Sequence, residues 1–498
     1  MADTTEEKKR LAVFNKFVFS KCIIIIVFCS CNILQPKNKL LKSKTEIGLK
    51  YSNQITSTQL NGFLSVIASD EFEGRETTYP GQKKAAQYLK DKLIEWNVSP
   101  AQSNGKYFQE FNVMVQDFSN VTLKINDDTL TFIKDFYSFG NPEKTNYSNV
   151  GTVFAGYGII NEYFNSYKSI DVNGKVVILK EGIPPNKNLP LKDANWRKKV
   201  KSAKSKGAIA VFFIKEDYDN TDLGLKDHLK NPSMKMHNNQ KTKTQIPVFF
   251  ISKDCLKSNI NNVVSLSTNV NELKTAENVL GYIPGKTDEI LVLSAHYDHI
   301  GYDQGEICNG ADDDGSGTAA LLSILQTFKN ANDDGYQPQR GILFLMVSGE
   351  EKGLFGSKFY TENPVFPLNK TIADLNIDMV GRKDTIQPNN DYIYLIGSDK
   401  ISNQLHGINE QINNKYVKFR LDYTYNDEND PNQYYYRSDH YNFAKNNIPV
   451  IFYFGGMHED YHKPTDEIEK IDFNKLEKTS RFIFLTAWEL IYRKKRIK

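Results

Sequence analysis

The stretch AHYDHIGYDQGEICNGADDDGSG, from Ala295 to Gly317, carries two histidines, Asp298 and an aspartate triplet, Asp312, Asp313 and Asp314. Three adjacent carboxylates repel one another and suit neither a strand nor a helix. A solvated acidic turn would account for them. A metal site, which needs dense negative charge, would account for them as well. Three further groups have the right chemistry: the pair Glu350 and Glu351, then Asp378, then His462 in GGMHEDYHKPTDE. Histidine with aspartate and glutamate, and no cysteine, suits a catalytic zinc or a similar divalent ion, whereas structural zinc sites mostly use cysteine.

Each of these groups follows an apolar run. His296 and Asp298 follow EILVLSA, Glu350 and Glu351 follow GILFLMVSG, Asp378 ends IADLNID, and His462 comes after IPVIFYF. Helical patterns lie between the runs. In GSGTAALLSILQTF, Leu321, Ile324, Leu325 and Phe328 share one face, and FNKLEKTSRFIFLTAWELIYR is a long amphipathic helix. Continuous apolar strands alternating with helices predict a mostly parallel, mixed sheet in an α/β fold, with helices on both faces. Such sheets bind ligands beyond the carboxyl ends of their strands. The groups above therefore converge on one rim, which moves the reading from solvated turn to metal site. Two histidines and three carboxylates suffice for two ions about 3.5–4 Å apart that share one carboxylate.

Between these strands and the N-terminal third, residues 132–268 have a different texture. Short β-like runs (GTVFAGYG, KVVILKEG, AIAVFFI, IPVFFIS) are broken by polar loops, with no cluster of ligand-like residues. This block reads as a small inserted β-rich domain. It separates an N-terminal part of the main domain, residues 53–131, from its catalytic part, residues 269–498.

HYD, GADDDGSG, GEE, NIDM and YHKPTDE, in this order, resemble the co-catalytic zinc exopeptidases of the M28 peptidase family. FAGYG, KVVILKEG and AKSKGAIAVFF resemble the protease-associated (PA) domain inserted in many members. The resemblance covers nearly all of the chain past about residue 55. It implies the zinc exopeptidase fold and two zinc ions per chain. It implies that His296 and Asp378 hold one ion, Glu351 and His462 the other, and that Asp313 bridges them, joined to Asp314 through an unusual peptide. It implies Glu350 as general base, Asp298 on the free nitrogen of His296, and Tyr461 as oxyanion stabiliser. The activity it implies is removal of N-terminal residues from peptides. A carboxypeptidase or dipeptidase is the alternative, with a glutaminyl cyclase or a non-catalytic receptor-like protein further behind.

Other residues read more plainly. His299 and His458 read as hydrogen-bonding or surface histidines, and His440 as a residue near a helix start capped by Ser438 or Asp439. Arg75 in FEGRE is placed to order a loop near the site. Tyr434–Tyr436 suit a pocket wall or core packing equally. Cys255 and Cys308 read as free thiols outside any disulfide framework.

The whole chain of 498 residues, with a net charge of +3 and scattered Lys and Arg, has the length for two domains and lacks the clustered basic surface of a nucleic-acid binder. Its N-terminus is more specific. Lys8, Lys9, Arg10, Lys16 and Lys21 precede CIIIIVFC, an apolar run too short to span a membrane. Ser30-Cys31 then fits a bacterial lipoprotein cleavage site. Residues 1–31 are read as an export signal with Cys31 lipidated, and residues 32–52 as a tether, giving a cell-envelope lipoprotein; ordinary secretion is the alternative. Cys31→Ser should abolish lipidation and shift the protein out of the membrane fraction. A native N-terminus that retains Met1, read by mass spectrometry, would refute the leader.

Overall fold

A computed structural model of the chain describes residues 46–185, 187–221, 223–237, 245–256 and 262–497. Cys31 and the leader lie outside these residues, as does most of the expected tether. Residues 46–52 of that tether are helical instead. Tyr51 is buried, and its ring stacks on Trp488 with centroids 5.9 Å apart. Ile47 and Leu49 pack on the same core, so burial of these apolar side chains overrides the polar, lysine-rich flavour of the segment. Among the described residues no helix is long and apolar enough to cross a membrane.

The chain forms two compact units. One joins the residues up to Gln109 to those from Glu277 onward, and the other is Glu110–Ala276. A ten-stranded mixed sheet includes β1 (Asn271–Ile283, of which residues 277–283 belong to the first unit), β2 (Ile290–His296), β3 (Gly341–Val347), β4 (Thr371–Asp378), β5 (Tyr392–Ile396), β6 (Arg420–Asp422) and β7 (Val450–Phe454). Their spatial order is β6-β5-β7-β4-β2-β3-β1. The central strands β3, β2, β4 and β7 are mutually parallel, while β1 and β5 run antiparallel to their neighbours β3 and β7.

Helices cover both faces, because alternate residues of each buried strand need an apolar partner on each side. Leu291, Leu293 and Ala295 pack with α1 (Ser57–Ile67), α2 (Pro80–Glu95), α3 (Gly317–Asp333), α5 (Asn403–Ile412) and α7 (Phe473–Tyr492). Ile290 and Val292 face the other way, toward Tyr360 of α4 (Phe355–Glu362) and Phe443 of α6 (His440–Ala444). His296 and Asp378 are the last residues of β2 and β4, and the parallel register puts both on one rim.

The second unit is an eight-stranded sheet with apolar clusters on both faces. It is wider than residues 132–268. Thr122–Ile125 pairs antiparallel with Val263–Thr268 and carries Asp128–Leu130 on its outer side, so hydrogen bonding draws these segments into the inserted unit.

Candidate active site

The turn from Ala311 to Ser316 leads from a short hairpin (Gly301–Asp303 with Glu306–Cys308) into α3. Backbone amides from the start of α3 and from the segment after β4 hold the triplet's carboxylates, and the turn's own amides hold another. Asp314 Oδ1 accepts from the amides of Gly317 (2.9 Å) and Met379 (3.0 Å), and Asp312 Oδ1 accepts from Gly381 (2.6 Å). Asp466, from the TDE end of the last motif, accepts from the amides of Asp312 and Asp313. Gly317 is required here, because a Cβ would lie 2.3 Å from Asp314 Oδ1 and 2.4 Å from the carbonyl of Ile377. The peptide between Asp313 and Asp314 is cis.

With its neighbours so fixed, Asp313 sits between two groups. Its Oδ1 lies 3.3 Å from His296 Nε2, which is 3.6 Å from Asp378 Oδ1. Its Oδ2 lies 3.1 Å from His462 Nε2, which is 3.0 Å from Glu351 Oε2. The structure thus brings together His296, Asp313, Asp378, Glu351 and His462. Glu350 and Tyr461 line the same cavity as His296, Asp313 and Asp378, and the Tyr461 ring stacks on His462 with centroids 3.8 Å apart.

The donor set fits a metal. His296, Asp313 and Asp378 each offer a ligand atom within 4.8 Å of the others. His462 Nε2 is buried and close to two carboxylates, yet it meets hydrogen-bond geometry with neither. A ring nitrogen in that position suits a cation held between it and the carboxylates. A second grouping, His299 with Asp313 and Glu351, meets the same distance criterion. His299 Nδ1 is 2.9 Å from Glu351 Oε1, so His299 has a hydrogen-bonding geometry that His462 lacks. The His299 ring thus bonds Glu351, while His462 Nε2 lies between the Asp313 and Glu351 carboxylates.

Two expectations need correction. The Asp298 carboxylate does not bond to His296, since its Oδ1 is 3.8 Å from Nδ1. The backbone carbonyl of Asp298 faces Nδ1 instead, at 3.1 Å, and the side chain is turned to Thr77 Oγ1 (2.7 Å) and the amide of Glu350 (3.3 Å). The second correction concerns α6: neither Ser438 nor Asp439 caps it through a side chain. Ser438 donates to Asp378 and Asp439 accepts from Ser357. His440 is buried with both ring nitrogens unpartnered, stacked on Phe452.

His299 and His458 are both hydrogen-bonding residues in the interior rather than at the surface. His458 faces Asp312 Oδ2 at 3.4 Å, and its Nδ1 is 2.9 Å from Arg382, which also binds Asp460. Tyr434 lines the cavity, while Tyr436 is exposed. Cys255 and Cys308 are free.

Adjacent glutamates have opposite environments. Burial, with the Glu351 and Asp439 carboxylates nearby, holds the Glu350 carboxyl well above its ordinary range. Burial works the same way on Glu351, but His299 and His462 overcome it and bring its carboxyl down to about 2. The environments of these two neighbours thus push their affinities for a proton apart.

Arg75 was placed near the site but given no partner by the sequence. It is fully buried and, among the described residues, makes no carboxylate pair. Its guanidinium donates to the carbonyls of Tyr297 (2.8 Å), Ile67 (2.8 Å), Asn309 (2.6 Å) and Gly310 (3.0 Å). Tyr297 adjoins His296, and Gly310 precedes the acidic turn. The guanidinium therefore ties the end of β2 to the turn that carries Asp313. Burial lowers its pKa to about 10, against the pull of Asp313, Asp298, Asp314 and Asp466, so it stays charged at neutral pH.

Two parts of the chain match known families. Residues 278–487 match peptidase family M28, and residues 144–258 match the PA domain. A probable leucine aminopeptidase of Arthroderma benhamiae is 30% identical over 218 residues, 42% of this chain and 56% of that protein. Aminopeptidase YwaD of Bacillus subtilis is 25% identical over 341 residues, 66% of this chain and 65% of that protein. The matches thus span between 56% and 65% of the length of these curated relatives. Among solved structures, an aminopeptidase from Aneurinibacillus sp. strain AM-1 superposes with a TM-score of 0.52 at 20% identity, covering 90% of this chain and 97% of that one, and shares the fold.

The carbonyl clamp yields a prediction. Arg75→Lys keeps the charge but cannot reach four carbonyls from one ammonium. Each carbonyl left unpaired should cost about 1–3 kcal/mol of stability, read as a lower denaturant midpoint. Metal affinity should fall as well, because the spacing of His296 and Asp313 is no longer held. A variant as stable as the parent would refute the clamp.

Proposed function

We propose that the protein is an exported, zinc-dependent aminopeptidase that removes N-terminal residues from peptides, held at the cell envelope by lipid on Cys31. The observation that carries the enzymatic reading is Asp313, with one carboxylate oxygen toward His296 and Asp378 and the other toward His462 and Glu351. That arrangement suits a carboxylate shared by two ions, with His296 and Asp378 completing one site and Glu351 and His462 the other. Zinc held by these residues would lower the pKa of a water and polarise the scissile carbonyl.

The rest falls to the chain's own groups. Glu350 accepts the proton of the attacking water on its carboxylate and passes it to the leaving amine. Its environment, which favours the protonated form, suits the second half of that task. The Tyr461 hydroxyl, on the cavity wall, donates to the oxygen that gains charge as the carbonyl is attacked. Met379, Phe452, Phe454 and Met457 give the cavity an apolar part of its lining, which suits a hydrophobic terminal side chain.

One observation favours the second reading, a carboxypeptidase or dipeptidase. Arg437 lines the same cavity, and a guanidinium there could hold a terminal carboxylate.

Two experiments decide between these readings and test the residue roles. Peptides with a free N-terminus should be cleaved and their N-acetylated forms should not. Equal hydrolysis of both would remove the aminopeptidase assignment and favour the runner-up. Separately, Glu350→Gln should retain about two zinc ions per chain while turnover falls roughly 10²–10⁴-fold. Glu351→Gln should lose metal along with activity, since a neutral amide is a poorer ligand. Metal analysis after dialysis, beside initial rates, checks both; the reverse pattern would mean that the two roles are exchanged.

A further inference from the structure

The most exposed large apolar side chains among the described residues are Tyr163 (84 %) and Leu191 (82 %), both in the inserted unit. Single exposed apolar residues are commonplace on a protein surface. These two stand on loops that are bonded to each other. Asn161 Nδ2 donates to Asp193 Oδ2 at 2.8 Å, which ties the turn carrying Tyr163 to the one carrying Leu191. Ile160, next to Asn161, is 38 % exposed and extends the patch.

Both loops are held by their own bonds. In the first, the Asn161 amide donates to the Phe164 carbonyl (2.8 Å), and Asn161 Oδ1 accepts from the Tyr163 amide (2.9 Å). In the second, Leu189 is buried, and Leu191 opens a short 3₁₀ turn, Leu191–Ala194, in which the Asp193 amide donates to the Pro190 carbonyl at 2.9 Å. The buried Lys199 ammonium donates to the carbonyls of Lys180 (3.0 Å) and Gly182 (2.6 Å) and so fixes the base of this loop. Loops held in this way keep their apolar tips in water instead of folding them inward. Cations surround the tips. Lys187 and Lys192 lie on the second loop, and the Arg197 guanidinium sits 4.5 Å from the centroid of the Trp196 ring. All three are exposed, and no ion pair takes up any of them among the described residues. Of the acids beside them, Asp193 is engaged by Asn161 and Lys198, which leaves Glu162.

We propose that these two loops are a membrane-docking surface that seats the inserted unit on a bilayer containing anionic lipid. A tyrosine ring and aliphatic side chains suit the boundary between headgroups and acyl chains, and lysine and arginine around them suit the lipid phosphates. Side chains as exposed as Tyr163 and Leu191 protrude, and so do not form the groove that a bound peptide needs. The contact does not depend on lipid at Cys31 or on the peptidase reading. For a chain tethered at its N-terminus it supplies a second attachment, which sets the orientation of the inserted unit to the bilayer.

The test uses the full chain with vesicles of phosphatidylcholine, with and without phosphatidylglycerol, whose acyl chains carry bromine as a fluorescence quencher. Tyr163→Trp puts a reporter at the tip, and Ile386→Trp puts one at an exposed position of the other unit. Whatever holds the N-terminus to vesicles is common to every variant. Emission in excess of the parent's should be lost for Tyr163→Trp on anionic vesicles and kept for Ile386→Trp. Adding Leu191→Glu, or Lys192→Glu with Arg197→Glu, should bring that emission back, and so should high salt, which screens charge at a surface. No quenching at position 163, or equal quenching at both positions, overturns the proposal. Quenching at position 163 that ignores phosphatidylglycerol and both sets of changes overturns it too. If the patch covers a second copy of the chain instead, the parent will sediment as a dimer without lipid and Leu191→Glu will separate it, which also overturns the membrane assignment.

Discussion

The site depends on burying many carboxylates in one place. Asp298, Asp312, Asp313, Asp314 and Asp466 all lie in the interior, with Asp378 beside them. An anion taken from water without partners is very costly, and its usual escape is protonation. Here the backbone supplies much of the compensation, through the amides of Gly317, Met379, Gly381, Asp312 and Asp313. Those amides converge only because the turn between the hairpin and α3 has its irregular shape and because Gly317 admits Asp314 against it. Arg75 adds a buried positive charge that is bonded to carbonyls and so not neutralised by any one acid. His458 and Arg382 attend to Asp312 and Asp460. With Asp312 and Asp314 both held, the residue between them has little freedom, and Asp313 is presented to both sides as a consequence.

What could be read from the sequence follows from the periodicity of the strands. Buried parallel strands are continuous apolar runs, so their ends are marked, and His296, Asp378, Glu350 and Glu351 stand at those ends. His462 and the acidic turn belong to loops, but their motifs carry enough unusual residue types to be noticed. What could not be read depends on contacts between distant segments. Arg75 lies more than two hundred positions from Tyr297 and Gly310, and nothing in FEGRE says that its partners are carbonyls. Asp298 looked like the partner of His296 because it follows by two residues. The strand ends between them, and the carbonyl reaches the ring before the carboxylate does. Ser438 has the composition of a helix cap, yet its hydroxyl bonds to Asp378 and caps no amide of α6. The helix at residues 46–52 was hidden by lysines around it, because three apolar residues decide its fate only when a core is there to receive them.

Neighbours in sequence repeatedly take unlike parts, and the backbone explains why. Glu350 and Glu351 follow β3, where successive side chains no longer alternate across a sheet but fan around a turn begun by Gly349, whose φ is +81°. One side chain enters the cavity beside His296, and the other meets His299 and His462. Asp313 and Asp314 diverge in the same way, one toward the histidines and one into backbone amides. Ser438 and Asp439 diverge again, toward Asp378 and Ser357. Regular secondary structure would send adjacent residues to opposite faces of a strand or about 100° apart on a helix, and neither geometry lets both serve one small site. The irregular segments just past the strands do. Catalytic chemistry that needs a ligand and a proton carrier within a few ångströms can then be met by two adjacent residues, provided that the parallel strands bring four such segments to the same rim.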